Sequence, residues 1–334
     1  MKRRSACLIF NPVAGQGDPE QDLETIKALL APEIDLDIQT TTEEVGADAL
    51  AIAAVERGVD AIIASGGDGT LSATASALVG TSIPLGIISR GTANAFANAL
   101  DIPDTIEAAC RTILGGATKT VDAAYCNGYP MVLLAGIGFE AEAVELADRE
   151  AKNRFGMFAY VLAGFQALRQ MTTFDAEIET EDKIIHVSAA AITVANAAPA
   201  TSVLAQGPSG VVVDDGLLDI TLVSPATKAG AIAATYHLLQ TALSGDAVDR
   251  SDIGYIRARR VKITTEPEQK VVLDGELIGT TPINVECVPG GLTLFFPLVE
   301  ESVPTEKLDG LPNLVVQMKG VPDGEDGFGD SEAT

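Results

Sequence analysis

Residues 60–70 read Asp-Ala-Ile-Ile-Ala-Ser-Gly-Gly-Asp-Gly-Thr, an apolar run stopped by a glycine pair, after which helical spacing resumes over Leu71–Val79. A glycine turn between a strand and a helix lets backbone N–H groups come close to an oxyanion, and the helix N-terminus adds the positive end of its dipole. No Gly-Lys-Ser/Thr follows, so this is not a Walker A loop. Standing alone, Gly66-Gly67-Asp68-Gly69-Thr70 also fits a tight turn with no ligand. Outward from it the pattern alternates. Ala6–Phe10, Ile34–Gln39 and Pro84–Ile88 read as strands; Gln21–Leu30 and Ala47–Arg57 read as helices, and another helix opens at Ala93. That rhythm predicts a doubly wound, mostly parallel α/β sheet, which binds ligands outside the carboxyl ends of its strands.

Two more glycine turns fall at such ends. Asn11-Pro12-Val13-Ala14-Gly15-Gln16-Gly17 follows the first strand, and Gly91-Thr92-Ala93-Asn94 follows the fourth. Three turns converging on one crevice are poorly explained as plain turns and point to phosphate or nucleotide binding. After about residue 120 strands dominate: Thr120–Cys126, Met131–Ala135, Phe174–Thr180, Ile184–Val194, Leu218–Val223, Tyr255–Thr264, Lys270–Leu273 and Leu292–Phe296. Helices are expected only near Glu140–Ala151, Gly156–Met171 and Lys228–Leu243. A second, largely antiparallel β-rich domain follows from this texture. The domains are expected at 1–122 and 123–297, with 298–318 packing back on the first and 319–334 forming an acidic, solvated tail.

The 334 residues carry 22 Lys and Arg against 47 Asp and Glu, a formal net charge of −25. Such a surface opposes duplex nucleic acid and broad adhesion to anionic lipid, so any membrane contact must be local. Cys7, Cys110, Cys126 and Cys287 lie far apart, as reduced thiols of a cytoplasmic protein would. No apolar run reaches the ~20 residues of a membrane span, and Ala6–Phe10 is too short for a signal peptide. Exposed sheet edges in the second domain would suit a homodimer.

The motifs NPVAGQG, GGDGT and GTANAFA, followed by Leu273-Asp274-Gly275-Glu276, resemble those of the bacterial diacylglycerol kinase-like lipid kinases. That family is related to sphingosine kinases and NAD kinases. Ala135–Phe139 and Val213–Asp219 extend the likeness, which runs to about residue 300. The resemblance implies a two-domain kinase with ATP in the interdomain cleft, phosphorylating a hydroxyl of diacylglycerol or a related lipid. Asn11, Pro12, Gly15, Gly66, Gly67, Asp68, Gly69, Thr70, Gly91, Thr92 and Asn94 would line the nucleotide site. One threonine of Thr40-Thr41-Thr42 would join them, Thr42 being favoured. Mg²⁺ would sit on the Asp215 carboxylate and the carbonyls of Val212 and Leu217, where Asp214-Asp215-Gly216 otherwise reads as a hairpin turn. Asp274 would be the general base. Glu276 is two residues on, so on an extended strand both carboxylates would share a side; a turn at Gly275 would break that relation.

Two departures from the family pattern stand out. Where members often carry Lys or Arg in or after the first turn, this chain has Gln16, Asp18 and Gln21. Charge neutralisation is left to Mg²⁺, helix N-termini or a base elsewhere such as Arg90. Where many members read GTxNDFA, this chain has Ala95, which deprives Asp68 of a companion in the metal network. Phe155–Leu168, preceded by Arg149, Lys152 and Arg154, reads as a core helix or as an interfacial one meeting acyl chains. The Arg257-Arg259-Arg260-Lys262 cluster reads as a solvated strand edge or a local anion-attracting patch, and His186 and His237 read as structural. The rivals are an NAD kinase-like phosphotransferase, against which the lack of an Asn-Glu pair counts, and a nucleotide-binding regulator impaired in catalysis, against which Asp215 and Asp274 count. GIGFEA at 136–141 lacks the spacing of a dehydrogenase loop.

Overall fold

The computed structural model describes residues 3–15, 17–138, 173–199, 202, 205, 210–224 and 253–297, all within one compact unit spanning 1–298. The expected helices at 140–151, 156–171 and 228–243, the stretch 155–168, Gln16, His237 and everything from 298 onward lie outside the described residues.

The first half alternates as its pattern predicts: β1 (Arg4–Phe10), α1 (Pro19–Leu30), β2 (Ile34–Thr40), α2 (Ala47–Glu56), β3 (Ala61–Gly66), α3 (Asp68–Leu78), β4 (Leu85–Ser89), α4 (Ala95–Ala99) and α5 (Ile106–Gly115). Local chemistry marks the helix ends. Asp18 caps α1 by accepting from Glu20 and Gln21 N–H, with Pro19 at the first helical turn. Thr105 caps α5, and Gly116 ends it at φ 72. β1, β2, β3 and β4 run parallel in the order β2-β1-β3-β4. Every residue of β3 and β4 is buried, because helices cover both faces of the sheet. Cys7, Ile9, Ile62 and Ala64 enter one core, while Ala6, Leu8, Phe10 and Ile63 enter the other.

The second half is built from β5 (Thr118–Cys126), β6 (Tyr129–Met131), β7 (Leu134–Gly138), β8 (Phe174–Glu179), β9 (Ile184–Ala189), β10 (Ala191–Ala195), β11 (Leu218–Val223), β12 (Ile253–Ala258), β13 (Arg260–Glu266), β14 (Lys270–Leu273), β15 (Glu276–Thr280) and β16 (Ile283–Phe295). β12-β11-β10-β7-β14-β15 form a separate antiparallel sheet. β13, β8 and β9 extend the first sheet through β16, as does β5 on the other side of β16. Apolar side chains from the two layers meet between them, among them Ile137, Ile192 and Ile220 from one and Ile178, Val261 and Val285 from the other. The mostly parallel α/β sheet and the antiparallel β domain therefore both form.

β16 joins them. Val285 pairs with Cys126 and Val261, whereas Leu294 pairs with Lys119 and, in parallel, with Leu85 of β4. Its register shifts between Val288 and Leu292.

Three stretches expected as single strands are each two. Residues 184–194 divide at Ala190 and 255–264 at Arg259, where the chain passes from one layer of the sandwich to the other. Alternating apolar residues run through both corners, so hydrophobic periodicity does not mark them. The Met131–Ala135 stretch breaks at Val132 and Leu133, whose N–H groups leave the ladder for a side chain described below.

A buried carboxylate ties the halves. Asp122 on β5 accepts Gly216 N–H at 2.6 Å and Gly290 N–H at 2.8 Å, and its own N–H donates to Val213 O at 2.7 Å. Asp122→Ala orphans two N–H groups and should cost about 3 kcal/mol, with Asp122→Asn costing roughly half that. Urea denaturation checks this; an alanine variant within about 0.5 kcal/mol of wild type would contradict it.

Candidate active site

The three glycine turns lie side by side at the carboxyl ends of β1, β3 and β4. Gly67 and Gly91 touch: a Cβ on Gly91 would stand 2.9 Å from Gly67 Cα. Gly66 is pressed on Thr70, whose side chain would lie 2.6 Å from its Cβ. Asn11 stitches the first turn to the second, its Nδ2 donating to Thr70 Oγ1 at 2.8 Å and its N–H to Ser65 O at 2.9 Å. Its Oδ1 accepts Val13 N–H at 3.1 Å, which curls the turn over Pro12. Gly15, at φ 91, rests on the carbonyl of Arg90.

Asp68 faces the third turn. Its carboxylate accepts Phe96 N–H at 3.3 Å as well as the N–H groups of Ala95 and Asn94, at the start of α4. Burial holds its pKa above the usual carboxylate value, and these bonds oppose that. Asp68 thus serves as an anchor for the turn that carries Thr92, and Ala95 contributes an N–H in place of a second carboxylate. Asn94 sits at φ 48, a left-handed conformation that asparagine tolerates. Gly69 and Thr92 are exposed in the crevice. Four buried polar atoms here, Ser65 Oγ, Ser89 Oγ, Arg90 Nη2 and Asn94 Oδ1, have no partner among the described residues. Unpaired buried polar groups concentrated at one site are what a polar ligand satisfies. Thr42 is exposed, and its Oγ1 accepts Glu44 and Val45 N–H at 3.3 and 3.1 Å, so it shapes its own turn while its hydroxyl proton stays available.

Asp274 occupies a different kind of seat. Asp274 and Gly275, at φ 47 and 92, form the two-residue turn between β14 and β15, with Leu273 paired to Glu276. The expected extended relation between the Asp274 and Glu276 carboxylates is therefore absent; Glu276 is exposed on the far limb of the hairpin. The Asp274 carboxylate is held by three successive N–H groups: Val132 donates to Oδ2 at 2.8 Å, and Leu133 and Leu134 donate to Oδ1 at 2.9 Å. Oδ1 is saturated, and Oδ2 keeps one lone pair. Burial pushes the pKa to about 6 against the pull of those bonds, and the nearby Glu276 charge adds to the rise.

Asn196 stands behind this turn, donating to Asp122 O and Val132 O at 3.0 Å. Asp122 and Asn196 do not emerge as site residues from the sequence; the available signal is one carboxylate or amide side chain inside each of two mainly apolar runs, TVDAAYC and ITVANAA.

In the Asp214-Asp215-Gly216 turn, Asp214 pairs with Lys119 at 2.9 Å. Asp215 Oδ1 accepts Leu217 N–H at 3.1 Å, and its Oδ2 accepts from Arg257. Arg257 also binds Asp219 Oδ1 at 3.1 Å; Asp219 Oδ2 is buried with no partner among the described residues, and burial raises the pKa of Asp219. Two carboxylates share one guanidinium, leaving hard oxygen donors in excess. Val212 is exposed at the edge of this turn. Among the described residues no group of three His, Cys, Asp or Glu side chains is placed to hold a metal, so a cation here would depend on backbone carbonyls and water.

Comparison with known proteins agrees with this geometry. Residues 5–126 match the diacylglycerol kinase catalytic domain, and residues 134–296 match the YegS C-terminal NAD kinase beta sandwich-like domain. The chain is 28% identical over 317 residues to a diacylglycerol kinase of Bacillus subtilis (strain 168), covering 93% of this chain and 99% of the other. It is 50% identical over 308 residues to a protein of Synechocystis sp. whose name assigns no function, covering 89% and 71%. A crystal structure of a diacylglycerol kinase from Bacillus anthracis str. Sterne superposes with a TM-score of 0.69 at 26% identity, covering 89% of this chain and 98% of that one. The chain is 31% identical over 301 residues to a probable lipid kinase YegS-like of Xanthomonas oryzae pv. oryzae (strain MAFF 311018), covering 87% of this chain and 95% of the other. It belongs to this diacylglycerol kinase-like family of lipid kinases.

Because the Asp274 pKa is raised, the folded protein keeps a proton between about pH 4 and 6 that the unfolded chain has released. Asp274 therefore favours folding in acid, and this contribution is lost as the pH rises through about 6. Carboxyl-carbon NMR should show a resonance titrating near pH 6 that is missing in Asp274→Asn; an unchanged set of titrations in the variant would contradict the assignment.

Proposed function

We propose that the chain transfers the γ-phosphate of ATP to a hydroxyl of diacylglycerol or a related lipid, with Asp274 as general base. The observation that carries this reading is the Asp274 carboxylate, fixed by three backbone donors yet keeping one open lone pair on Oδ2. A carboxylate with a pKa of about 6 is ionised at neutral pH and basic enough to take a hydroxyl proton as the bond to phosphorus forms. The acceptor oxygen bonds to the γ-phosphorus, its proton passes to Asp274 Oδ2, and the bond to the β–γ bridging oxygen breaks to release ADP. Glu276 would raise the basicity of Asp274 through its charge.

The nucleotide would lie across Asn11–Gly15, Gly66–Thr70 and Gly91–Asn94, its phosphates against backbone N–H groups and the start of α3. Hard oxygen donors suit Mg²⁺, which would be held by the Asp215 carboxylate, shared with Arg257, and by the carbonyls of Val212 and Leu217. Bound there, Mg²⁺ would supply positive charge that stabilises the turn beside the cleft. A lipid acceptor would be met by peripheral, transient contact; no helix among the described residues is long and apolar enough to cross a membrane.

The test is transfer of labelled γ-phosphate from Mg·ATP in mixed micelles to diacylglycerol, monoacylglycerol, phosphatidylglycerol, ceramide and sphingosine, with NAD as the competing acceptor. Label is expected in a lipid; label in NAD alone would overturn the proposal. Asp274→Asn should keep ATP affinity within about threefold while lowering transfer by roughly 10²–10⁴. The wild-type rate should rise with pH through about 6, as Asp274 ionises. Equal losses in binding and turnover would make Asp274 structural.

A further inference from the structure

Across Asn11–Gly17, Gly66–Thr70 and Arg90–Asn94, Arg90 is the one basic residue. It is also buried, its side chain 2% exposed. A guanidinium does not deprotonate in a protein, so its full charge is held inside, beneath the first glycine turn. Its contacts join the elements that build the cleft. Nε donates to Asp22 of α1 at 2.8 Å, Nη1 donates to Asn11 O at 2.8 Å, and the plane lies 4.4 Å from the centroid of the Phe10 ring. Its backbone N–H donates to Gly66 O at 2.7 Å, and its carbonyl is what Gly15 rests on. Among the described residues Nη2 has no partner.

Buried arginines are ordinarily satisfied on every edge. Here one edge is left over, buried beneath the first turn, and within the three turns the one acidic residue, Asp68, is already engaged by the start of α4. A charge in such a weakly polarisable layer acts over several ångströms without direct contact. Asp22 offsets part of that charge, being only part-buried, with 25% of its side chain exposed.

We propose that Arg90, tuned by Asp22, sets how strongly the site holds the phosphates of its nucleotide, acting as a positioning residue that orders the first turn and supplies its missing positive charge. This rests on reading the cleft as a nucleotide site. It makes two predictions of opposite sign, which a purely architectural arginine would not produce. Removing the guanidinium weakens binding in proportion to the number of phosphates, and removing the opposing carboxylate strengthens it.

Calorimetric titration of the full chain with ATP, ADP, AMP and adenosine tests both. Arg90→Met should weaken ATP about tenfold or more and ADP less, with adenosine within about twofold; Arg90→Lys should recover part of the ATP loss. Asp22→Asn, which keeps an oxygen for Nε, should tighten ATP by roughly two- to fivefold and leave adenosine unchanged. Equal weakening of all four ligands in Arg90→Met, an unchanged ATP affinity there, or weaker ATP binding in Asp22→Asn would each overturn the proposal. If Arg90→Met does not fold, Asp22→Asn decides by itself. Wild-type protein that binds none of the four would contradict the nucleotide reading and the proposal together, whereas ATP binding indifferent to both substitutions would sink only the role of Arg90.

Discussion

The contact between Gly67 and Gly91 is the constraint on which the cleft depends. Parallel strands buried on both faces send their functional turns to one end of the sheet. There the second and third turns meet at a distance that a single methyl group would violate. With the backbones so close, polar groups of neighbouring turns bond to one another: Asp68 to the start of α4, Asn11 to Thr70, and Arg90 to Asn11 O and Gly66 O. The result is one rigid floor made of three local sequences, with exposed Gly69 and Thr92 on its surface.

β16 carries that order into the second half of the chain. It pairs with β4 at Leu294, with β13 nearer its start and with β5 on both sides of its register shift, so the parallel sheet and one layer of the sandwich share a backbone ladder. Asp122 bonds the bulge of β16 to the Asp214-Asp215-Gly216 turn, and Asn196 bonds the Asp122 carbonyl to the loop that holds Asp274. A continuous chain of buried polar contacts thus fixes the position of the candidate base. The interruption of β6 and β7 at Val132-Leu133 has the same purpose: two N–H groups withheld from a strand ladder are given to a carboxylate.

Much of this was legible in the sequence because it is local. The alternation from Ala6 to Ala93 and the three glycine turns each state their structure within about ten residues. The strand breaks at Ala190 and Arg259 were not legible, because layer changes in a sandwich leave the apolar alternation intact. The Asp274–Glu276 geometry turned on one backbone choice at Gly275, which the residues Leu-Asp-Gly-Glu leave open between an extended strand and a hairpin. Asp122 and Asn196 carry no motif; they matter through partners 64 to 168 residues away. Arg90 was visible as a charge, but its burial and its bond to Asp22 belong to the tertiary structure.

The central claim is that the three glycine turns act as one nucleotide site, and hydrogen–deuterium exchange with and without Mg·ATP tests it most directly. The account predicts that peptides covering residues 11–17, 64–71 and 90–97 slow together on nucleotide addition, with no change across the outer hairpin of β8 and β9. Protection limited to one of the three turns, or found in that hairpin instead, would contradict it.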